Sequence, residues 1–377
     1  MKRRFRVSFL LLAGILLLGI GLAGLASVRD VMQYAVQPSA GNETSMTDIY
    51  DEALRTMAAG FPKMTLHGVK ADASLGAAGE RIQNNLMLYA TGPYWYEVYP
   101  MRLRSGRPIM PLDTEQKAGV IILDEQTARN LFGSTETDGK TVELGGKTLE
   151  VVGVAEHSRR IGEAGEYAAW VTLDQVKDCD LIVLSVPAES VNRFPVFQTQ
   201  AKTVFGEETP GTAIDISKEK SRALLPLLLV FLTAAVWLMT RWIRRLADYS
   251  RIQLEKVKAE SKKRYTLQLL PYAAGQLLPA ALLAAVTLAA CYGLAMLAME
   301  PLRIFPEWIP ESLGEYDSWI SRFWDLAGAA AKPVTMKTPE LTEVQFYGNL
   351  VLWGTLLLLL RAGKQVLAGW GKRKENA

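Results

Sequence analysis

The chain has few of the residues that commonly mark a catalytic or metal-binding protein. It holds two cysteines, Cys179 and Cys291, and two histidines, His67 and His157, in 377 residues. One cysteine lies in a polar stretch and the other in a long apolar run, so a structural disulfide is not expected. Two isolated histidines are too few for a histidine-based metal site. A nucleophile–base pair and a Walker motif are also missing from the sequence, which argues against an enzyme and against ATP binding by this chain.

Two glycine-rich matches to nucleotide-binding motifs are excluded by their context. Residues 133–141 end in Gly-Lys-Thr, but five residues instead of four separate the glycines, and a hairpin strand follows them. Residues 19–24 match the dinucleotide fingerprint, but they lie in an apolar run that no strand precedes. The small residues of that run instead favour close packing between membrane helices.

Charge is absent from four long apolar stretches, at residues 7–26, 224–240, 266–299 and 346–360. About 20 helical residues cross a hydrocarbon core of roughly 30 Å, so each stretch predicts one membrane span. Because Pro271 and Pro279 interrupt the third, we interpret 266–276 as an approach segment and 277–299 as the span. A cleavable signal peptide is the alternative for the first stretch, whose length favours an anchor.

Lysine and arginine are concentrated near residues 2–6, 241–264 and 361–374. Short basic segments stay in the cytoplasm, so both termini are predicted to be cytoplasmic in a multi-pass protein of the cell membrane. Residues 28–221 carry 27 acids and 19 bases and are predicted to lie outside, as is the acidic segment 300–345. The basic loop is explained by this topology and by anionic lipid, so nucleic acid is not an expected partner.

These assignments divide the chain into consecutive segments. We predict a basic N-terminus with the first span (1–27), an outer domain with stalk helices (28–221), the second span (222–241), a basic cytoplasmic loop (242–265), the approach segment with the third span (266–299), an outer loop (300–345), the fourth span (346–361) and a basic tail (362–377).

Hydrophobic periodicity predicts an α+β outer domain of mixed α/β structure. Residues 28–57 are interpreted as helical with a break near 38–42, the first part continuing the first span and a capped helix starting at 47–52. Further on, the pattern predicts a strand at 119–123 and a helix at 124–132. Gly145-Gly146 predicts a hairpin of 141–144 with 148–154, and residues 181–216 predict a β-α-β unit.

Several short motifs occur in an order and spacing that resemble a known family. They are Tyr-Trp-Tyr-Glu-Val at 94–98, Leu-Arg-Ser-Gly-Arg at 103–107, Gly-Val-Ile-Ile-Leu at 119–123, Ala-Arg-Asn-Leu-Phe-Gly at 128–133, Gly-Lys-Thr-Val at 139–142 and Val-Val-Gly-Val at 151–154. Over roughly residues 92–155 the chain resembles the core domain of MacB-like ABC transporter permeases. The order of one span, a large outer domain and three spans is similar to that of MacB, LolC/LolE and FtsX relatives.

The resemblance implies a non-enzymatic permease subunit. Such a subunit passes ATP-driven motion from a separate cytoplasmic ATPase to the outer domain, for efflux or extracytoplasmic handling of a substrate. It implies a second permease subunit, in a homodimer or heterodimer, besides membrane lipids, and no cofactor except the ATP bound by the partner ATPase. A membrane-anchored signalling or scaffold protein, similar to FtsX-like regulators and acting without ATPase coupling, is the alternative.

We interpret the family-motif residues as structural, serving turns, the hairpin and the core. They are Gly106, Arg107, Phe132, Gly133, Gly139 and Gly153.

The loop between the second and third spans docks on the ATPase in this family and usually carries a run resembling E-I-G-x-x-[RK]-A-L-G. This chain has Arg-Leu-Ala-Asp-Tyr-Ser-Arg-Ile-Gln-Leu at 245–254 instead. Leu246, Tyr249 and Ile252 follow Trp242 at helical spacing and are predicted to form an ATPase-coupling face; a solvated or lipid-lying helix is the alternative. In the outer loop, an amphipathic stretch at the membrane interface is predicted from Trp308, Trp319, Ile320, Phe323 and Trp324.

Overall fold

The structure is a computed structural model of the chain. It describes all residues except 1, 39–44, 78–80, 158–160, 162–166, 189–192, 207–208, 263–264, 311, 313, 332–335 and 376–377. The chain divides into two compact units. The first comprises Met1–Ala223 with Lys332–Ala377, and the second comprises Leu224–Ala331.

One ten-stranded sheet forms the centre of the first unit. Its strands are β1 (Val31–Val36), β2 (Thr65–Ala77), β3 (Ile82–Thr91), β4 (Leu103–Gly106), β5 (Val120–Asp124), β6 (Thr141–Leu144), β7 (Lys147–Ala155), β8 (Tyr167–Thr172), β9 (Leu181–Pro187) and β10 (Gly211–Asp215). The spatial order is β10-β1-β9-β2-β3-β8-β5-β7-β4. Strand β6 pairs with both β2 and β7, so the strands from β2 to β7 in this order close a ring through β6.

The helices are α1 (Lys2–Ser27), α2 (Met46–Met57), α3 (Trp95–Val98), α4 (Pro111–Glu115), α5 (Glu125–Phe132), α6 (Phe194–Phe205), α7 (Ile216–Ser261), α8 (Thr266–Ile304), α9 (Tyr316–Ala331) and α10 (Pro339–Glu375). Four of them are long and apolar enough to cross a membrane, over Phe9–Ser27, Ile216–Ser261, Leu269–Ile304 and Pro339–Lys364.

The two faces of the sheet have different environments. Side chains alternate between faces along a strand, and in β3 Leu86 and Leu88 belong to the main hydrophobic core whereas Met87 and Tyr89 line a cavity. Helices α2, α5 and α6 contribute to the core on the first face. The second face therefore carries the cavity.

Helices α1 and α10 pack closely and antiparallel. Tyr347, Val351 and Leu358 of α10 lie against Gly24, Gly21 and Gly14 of α1, respectively. A Cβ atom on Gly21 would lie 2.8 Å from Val351 Cγ2 and 2.9 Å from the backbone oxygen of Tyr347. The predicted helix packing through the small residues of 19–24 is confirmed at Gly21 and Gly24, whereas Gly19 has open space around it.

The second unit contains α7 from Leu224 onward, α8 and α9. Its apolar side chains are largely exposed, Leu229 by 61% and Leu288 by 71%. Trp242 Nε1 of α7 donates a hydrogen bond to Thr287 Oγ1 of α8 at 3.0 Å. The aromatic stretch of the outer loop falls on α9, where Trp319, Ile320, Phe323 and Trp324 are exposed, and Trp308 ends a short 3₁₀ turn.

Most sequence-based elements of the outer domain are confirmed. Helix α5 begins after Asp124, whose side chain caps it, and ends at Gly133 with φ of 71°. The hairpin of β6 and β7 turns at Gly145-Gly146, and both glycines have positive φ. Strands β9 and β10 run parallel on either side of β1 and are joined through α6, as a β-α-β unit requires.

The predicted stalk helix after the first span is wrong. Residues Val31–Val36 form β1, which pairs with both β9 and β10 and is buried along its whole length. A strand buried on both faces has no alternation of apolar and polar residues, so its sequence resembles an apolar helix segment. The following helix α2 is capped by Ser45, not at residue 47, and the predicted break at 38–42 lies outside the described residues beyond Pro38.

Helix boundaries near the predicted spans also need correction. The approach segment at 266–276 is part of one helix, α8, which contains Pro271 and Pro279. Helix α10 starts at Pro339 instead of 346, and α7 runs from Ile216 to Ser261 through the predicted second span into the predicted loop. The prolines and the polar residues that flank the apolar stretches do not terminate these helices. Apolar composition therefore identifies only the part of each helix that could lie in a membrane.

Candidate functional site

A cavity of about 550 Å³ lies on the second face of the outer-domain sheet. Alternating residues of β2, β3, β8 and β9 form its floor, including Val69, Met87 and Val183. The wall is completed by α3, by the segment after it, by the end of β7 and by Pro339 and Glu340 at the start of α10. This volume falls in the range of about 300–1,000 Å³ that is typical of small-molecule sites.

Aromatic rings form a continuous row along this cavity. Neighbouring ring centroids are 5.5 to 6.5 Å apart in the order His67, Tyr99, Trp95, Trp170 and Tyr89. The row crosses from β2 through α3 to β8 and β3, so several elements fix it. Ring pairs at such distances pack favourably in offset or edge-to-face arrangements.

Two polar nitrogens in the row, His67 Nδ1 and Trp95 Nε1, are buried and have no hydrogen-bond partner among the described residues. His67 is 7% exposed and Trp95 is 8% exposed. Burial lowers the pKa of His67 from 6.5 to about 4, which keeps the imidazole neutral near neutral pH. Both nitrogens have almost no accessible surface, so they are enclosed in the wall of the cavity.

Asp124 and His157 form a polar pair at the edge of the cavity. His157 Nδ1 lies 3.0 Å from both carboxylate oxygens of Asp124, and Asp124 also accepts the backbone N–H of Gln126 at 3.1 Å. Burial raises the pKa of Asp124, while the hydrogen bond from His157 acts in the opposite direction. Since Asp124 caps α5, this pair also fixes the end of β7 against that helix.

A buried polar network joins the sheet to the start of α10. Gln33 of β1 donates to Glu340 Oε2 at 3.0 Å and to the hydroxyl of Tyr99 at 2.8 Å, and it accepts from Thr338 Oγ1 at 2.7 Å. Tyr99 in turn donates to Ser185 Oγ at 2.8 Å. Because these groups are buried, the hydrogen bonds of Gln33 with Thr338 and Glu340 fix the start of α10 against the sheet.

The predicted ATPase-coupling residues lie near the end of α7, in the second unit. Tyr249 is 37% exposed and Ile252 52% exposed, and Leu246 is half-buried. The segment is helical, as the spacing predicts. Trp242 differs from the other three because its indole nitrogen bonds to α8.

The family-motif residues do not line the cavity: Phe132 ends α5, Gly153 lies in β7, and the others lie in turns or at the end of β4. Gly106 and Gly139 have positive φ, and a Cβ atom on Gly153 would lie 2.7 Å from the backbone oxygen of Arg107. The Arg107 guanidinium donates two hydrogen bonds to Asp113, at 2.6 and 3.0 Å, which lower the pKa of that carboxyl. The ring of Phe132 lies 4.8 Å from Lys140 Nζ.

Sequence reasoning missed the cavity and its polar groups. It treated His157 as an isolated histidine, although Asp124 lies 33 positions earlier in the chain and contacts it. The aromatic run at 94–98 was the available signal, because Trp95 stands at the centre of the ring row. Within the described ranges, no group of three or more His, Cys, Asp or Glu side chains could hold a metal ion.

The profile of the family described as MacB-like periplasmic core domain matches residues 9–205, just over half of the 377 residues. Among curated proteins, the chain is 29% identical over 89 residues to the macrolide export ATP-binding/permease protein MacB of Hahella chejuensis (strain KCTC 2396). It is 28% identical over 87 residues to the protein of the same name from Aggregatibacter actinomycetemcomitans. Each match covers 23% of this chain and 14% of the relative, so the chain aligns with only a small part of these proteins.

Two solved structures are among the matches. The periplasmic region of MacB from Actinobacillus actinomycetemcomitans has 14% identity and a TM-score of 0.39, covering 52% of this chain and 91% of that one. The extracellular domain of a noncanonic ABC-type transporter, YknZ, from Gram-positive bacteria has 18% identity and a TM-score of 0.38, covering 49% and 100%.

Proposed function

The chain belongs to the family of proteins with a MacB-like periplasmic core domain, and from this premise we propose that it is the permease subunit of an ABC transporter complex. In this proposal a separate ATPase chain binds and hydrolyses ATP, and the permease passes the resulting motion to its outer domain for efflux or extracytoplasmic handling of a substrate. The observation that carries the proposal is the position of the matched region, which begins in the first apolar helix and is followed by three others.

The proposed topology has four spans, with both termini in the cytoplasm and the core domain outside. Contacts within the first unit support it. Gln33 of the outer domain bonds to Thr338 and Glu340, so α10 starts beside the outer domain. Helix α1 ends on the same side, because it packs antiparallel to α10.

Site-directed labelling tests this topology. Single cysteines at Ser134 and Ser318, in a chain without Cys179 and Cys291, should react with a membrane-impermeant thiol reagent in intact cells. A cysteine at Ser250 should react only after permeabilisation. Labelling of the Ser250 position in intact cells would contradict the four-span arrangement.

We assign ATPase coupling to the last part of α7. Three properties of this segment support the assignment: it is helical, it lies beyond the apolar part of the helix, and it exposes Tyr249 and Ile252. Buried aromatic and aliphatic anchors carry most of the energy of protein interfaces, and these residues are of that type. Membrane lipid and a second permease, identical or different, would cover the exposed apolar surfaces of α7 and α8.

Purification of the tagged, full-length chain from its native membranes tests the proposal. We expect an ABC ATPase to copurify and to hydrolyse ATP in the complex. A preparation that contains the intact permease but no ATPase, after mild crosslinking in the membrane, would contradict the proposal.

One observation favours a second function. Residues 245–254 lack the run that is usual in the family's ATPase-docking loop, which fits a membrane-anchored regulator that acts through its outer domain alone. Such a protein would copurify with an extracytoplasmic partner in place of an ATPase.

A further inference from the structure

We propose that the outer-domain cavity is a binding site for a small organic cation, an amine or quaternary ammonium compound with an apolar body. This site would act within one copy of the outer domain. It goes beyond the proposed permease function, since binding there requires neither ATP nor an ATPase.

The cavity wall first indicates an apolar ligand. Its floor consists of aliphatic and sulfur-containing side chains, such as Val69, Met87 and Val183, and its side is the row of five rings. Apolar lining with few polar groups is the usual composition of a ligand pocket. The volume of about 550 Å³ is large enough for a molecule of drug-like size.

The charge of the wall selects a cation. Among the described residues that line the cavity, three are carboxylates, those of Asp124, Glu156 and Glu340, and one is a guanidinium, that of Arg102. Summed over these described groups, the wall carries a net negative charge. The neutral state of His67, whose pKa is lowered to about 4, adds no positive charge near neutral pH.

The ring row provides a second reason for a cation. Ring faces attract ammonium groups that lie within about 6 Å of the centroid, and aromatic cages recognise quaternary ammonium ligands in this way. Trp95 and Trp170, the ring type that binds cations best, are adjacent in the row at 6.5 Å. The side chains of His67 and Trp95 are both more than nine-tenths buried, which holds their rings in the wall.

Because of where the cavity lies, a bound ligand would also affect a helix that is apolar enough to span a membrane. Pro339 and Glu340 belong to the wall and also begin α10, a helix apolar enough to span a membrane. A ligand in the cavity would therefore contact both the sheet and the start of that helix. Occupancy of the site could be sensed through the hydrogen bond between Gln33 and Glu340.

A matched set of fluorescent probes tests the proposal on the full-length chain in nonionic detergent. The cationic probe is dansylamidopropyl-trimethylammonium, of about 24 non-hydrogen atoms, within the size that such cavities hold. The controls are the neutral dansyl propylamide and the anionic dansylamidopropyl-sulfonate, which share the apolar body. Equilibrium dialysis against empty micelles gives the bound fraction of each probe.

We expect saturable binding of the cation, about fivefold tighter than that of the neutral probe and tighter still than that of the anion. Glu156→Gln, at an exposed position on the cavity wall, should reduce the preference for the cation. Glu150→Gln neutralises an exposed carboxylate on β7, the strand that ends just before Glu156, away from the cavity, and should leave the preference unchanged. Trp170→Leu, checked for folding by its thermal transition, should weaken binding of all three probes.

Three results would overturn the proposal. One is the absence of saturable binding above the micelle control. Another is equal binding of the cationic, neutral and anionic probes. The third is a Glu156→Gln variant that keeps the full preference for the cation. None of these results bears on whether an ATPase copurifies, so the permease proposal is tested separately.

Discussion

The long helices of the two units differ in how the protein covers their apolar surface. In the first unit, α1 and α10 approach each other so closely that Gly21 and Gly24 leave no room for a side chain. In the second unit, a Cβ atom added to Gly275 or Gly293 of α8 would have no described side chain or neighbouring helix within 4 Å. Large apolar side chains of α7 and α8 are exposed. The difference indicates that one pair is fixed by contacts within the chain, whereas the other helices leave their apolar surface uncovered within their own unit.

The largest effect is expected when the α1–α10 contact is broken. Gly21→Leu places a side chain where even a Cβ atom would lie 2.8 Å from Val351 and 2.9 Å from backbone atoms. Overpacking of this kind costs about 1–3 kcal/mol, so the Tm of the full-length protein, followed by tryptophan fluorescence, should fall clearly. The matched control Gly293→Leu adds the same side chain to α8 in open space and should leave the Tm nearly unchanged. Equal shifts for the two variants would remove the distinction between the helices.

A pH series tests the first unit separately from the second, because the second unit, residues 224–331, contains no histidine. The folded-state pKa of His67 is about 4, below its ordinary value of 6.5, so the unfolded chain takes up a proton more readily. Its contribution to stability is therefore complete above about pH 6.5 and is lost as the pH falls toward 4, by up to about 3 kcal/mol. We expect the Tm of the wild type to fall more steeply in this window than that of His67→Gln. Parallel pH profiles would show that the pKa of His67 is not lowered in the folded protein.

An effect at most as large as that of Gly21→Leu is expected from the polar network that fixes the start of α10. Gln33→Leu removes the amide that bonds to Thr338 and Glu340, which leaves buried polar groups without that partner at a cost of about 1–3 kcal/mol. The control Gln116→Leu, at an exposed position, should change stability by less than about 0.5 kcal/mol. Thermal unfolding of both variants at neutral pH is the measurement. If Gln33→Leu unfolds like the control, the network does not hold α10 to the sheet.

The sequence was sufficient where a feature is encoded locally. Gly145-Gly146 predicts the hairpin because few other residues adopt its positive φ angles, and Asp124 with Gly133 predicts the bounds of α5. It failed at β1, because six residues buried on both faces show no strand periodicity directly after an apolar helix.

The candidate site was not predictable for a different reason. Its polar contacts join residues that are far apart in sequence, such as Gln33 with Glu340 and Tyr99 with Ser185. Nothing local to Gln33 indicates its partner, because the pairing depends on the order of strands in the sheet. The aromatic run around Trp95 was visible in the sequence, but its place in a ring row depends on β8 and β3.

The central claim is that the far end of α7 binds a separate ATPase, in contrast to α1 and α10, which are packed by the chain itself. The direct test compares two double variants. The first carries Leu246→Asp and Ile252→Asp on the predicted coupling face. The second carries Ala247→Asp and Leu254→Asp, which lie on the opposite side of the same helix because an α-helix turns about 100° per residue. All four positions lie beyond the apolar part of α7, so both proteins should insert normally.

The measurement is the affinity of each purified permease variant for the copurifying ATPase, together with the rate of ATP hydrolysis in the complex. Loss of buried anchors typically costs about 2 kcal/mol or more, so the first double variant should bind about 30-fold more weakly and lose stimulated hydrolysis. The opposite-face variant should keep affinity and hydrolysis close to the wild type. Wild-type association of the Leu246→Asp, Ile252→Asp protein would contradict the account.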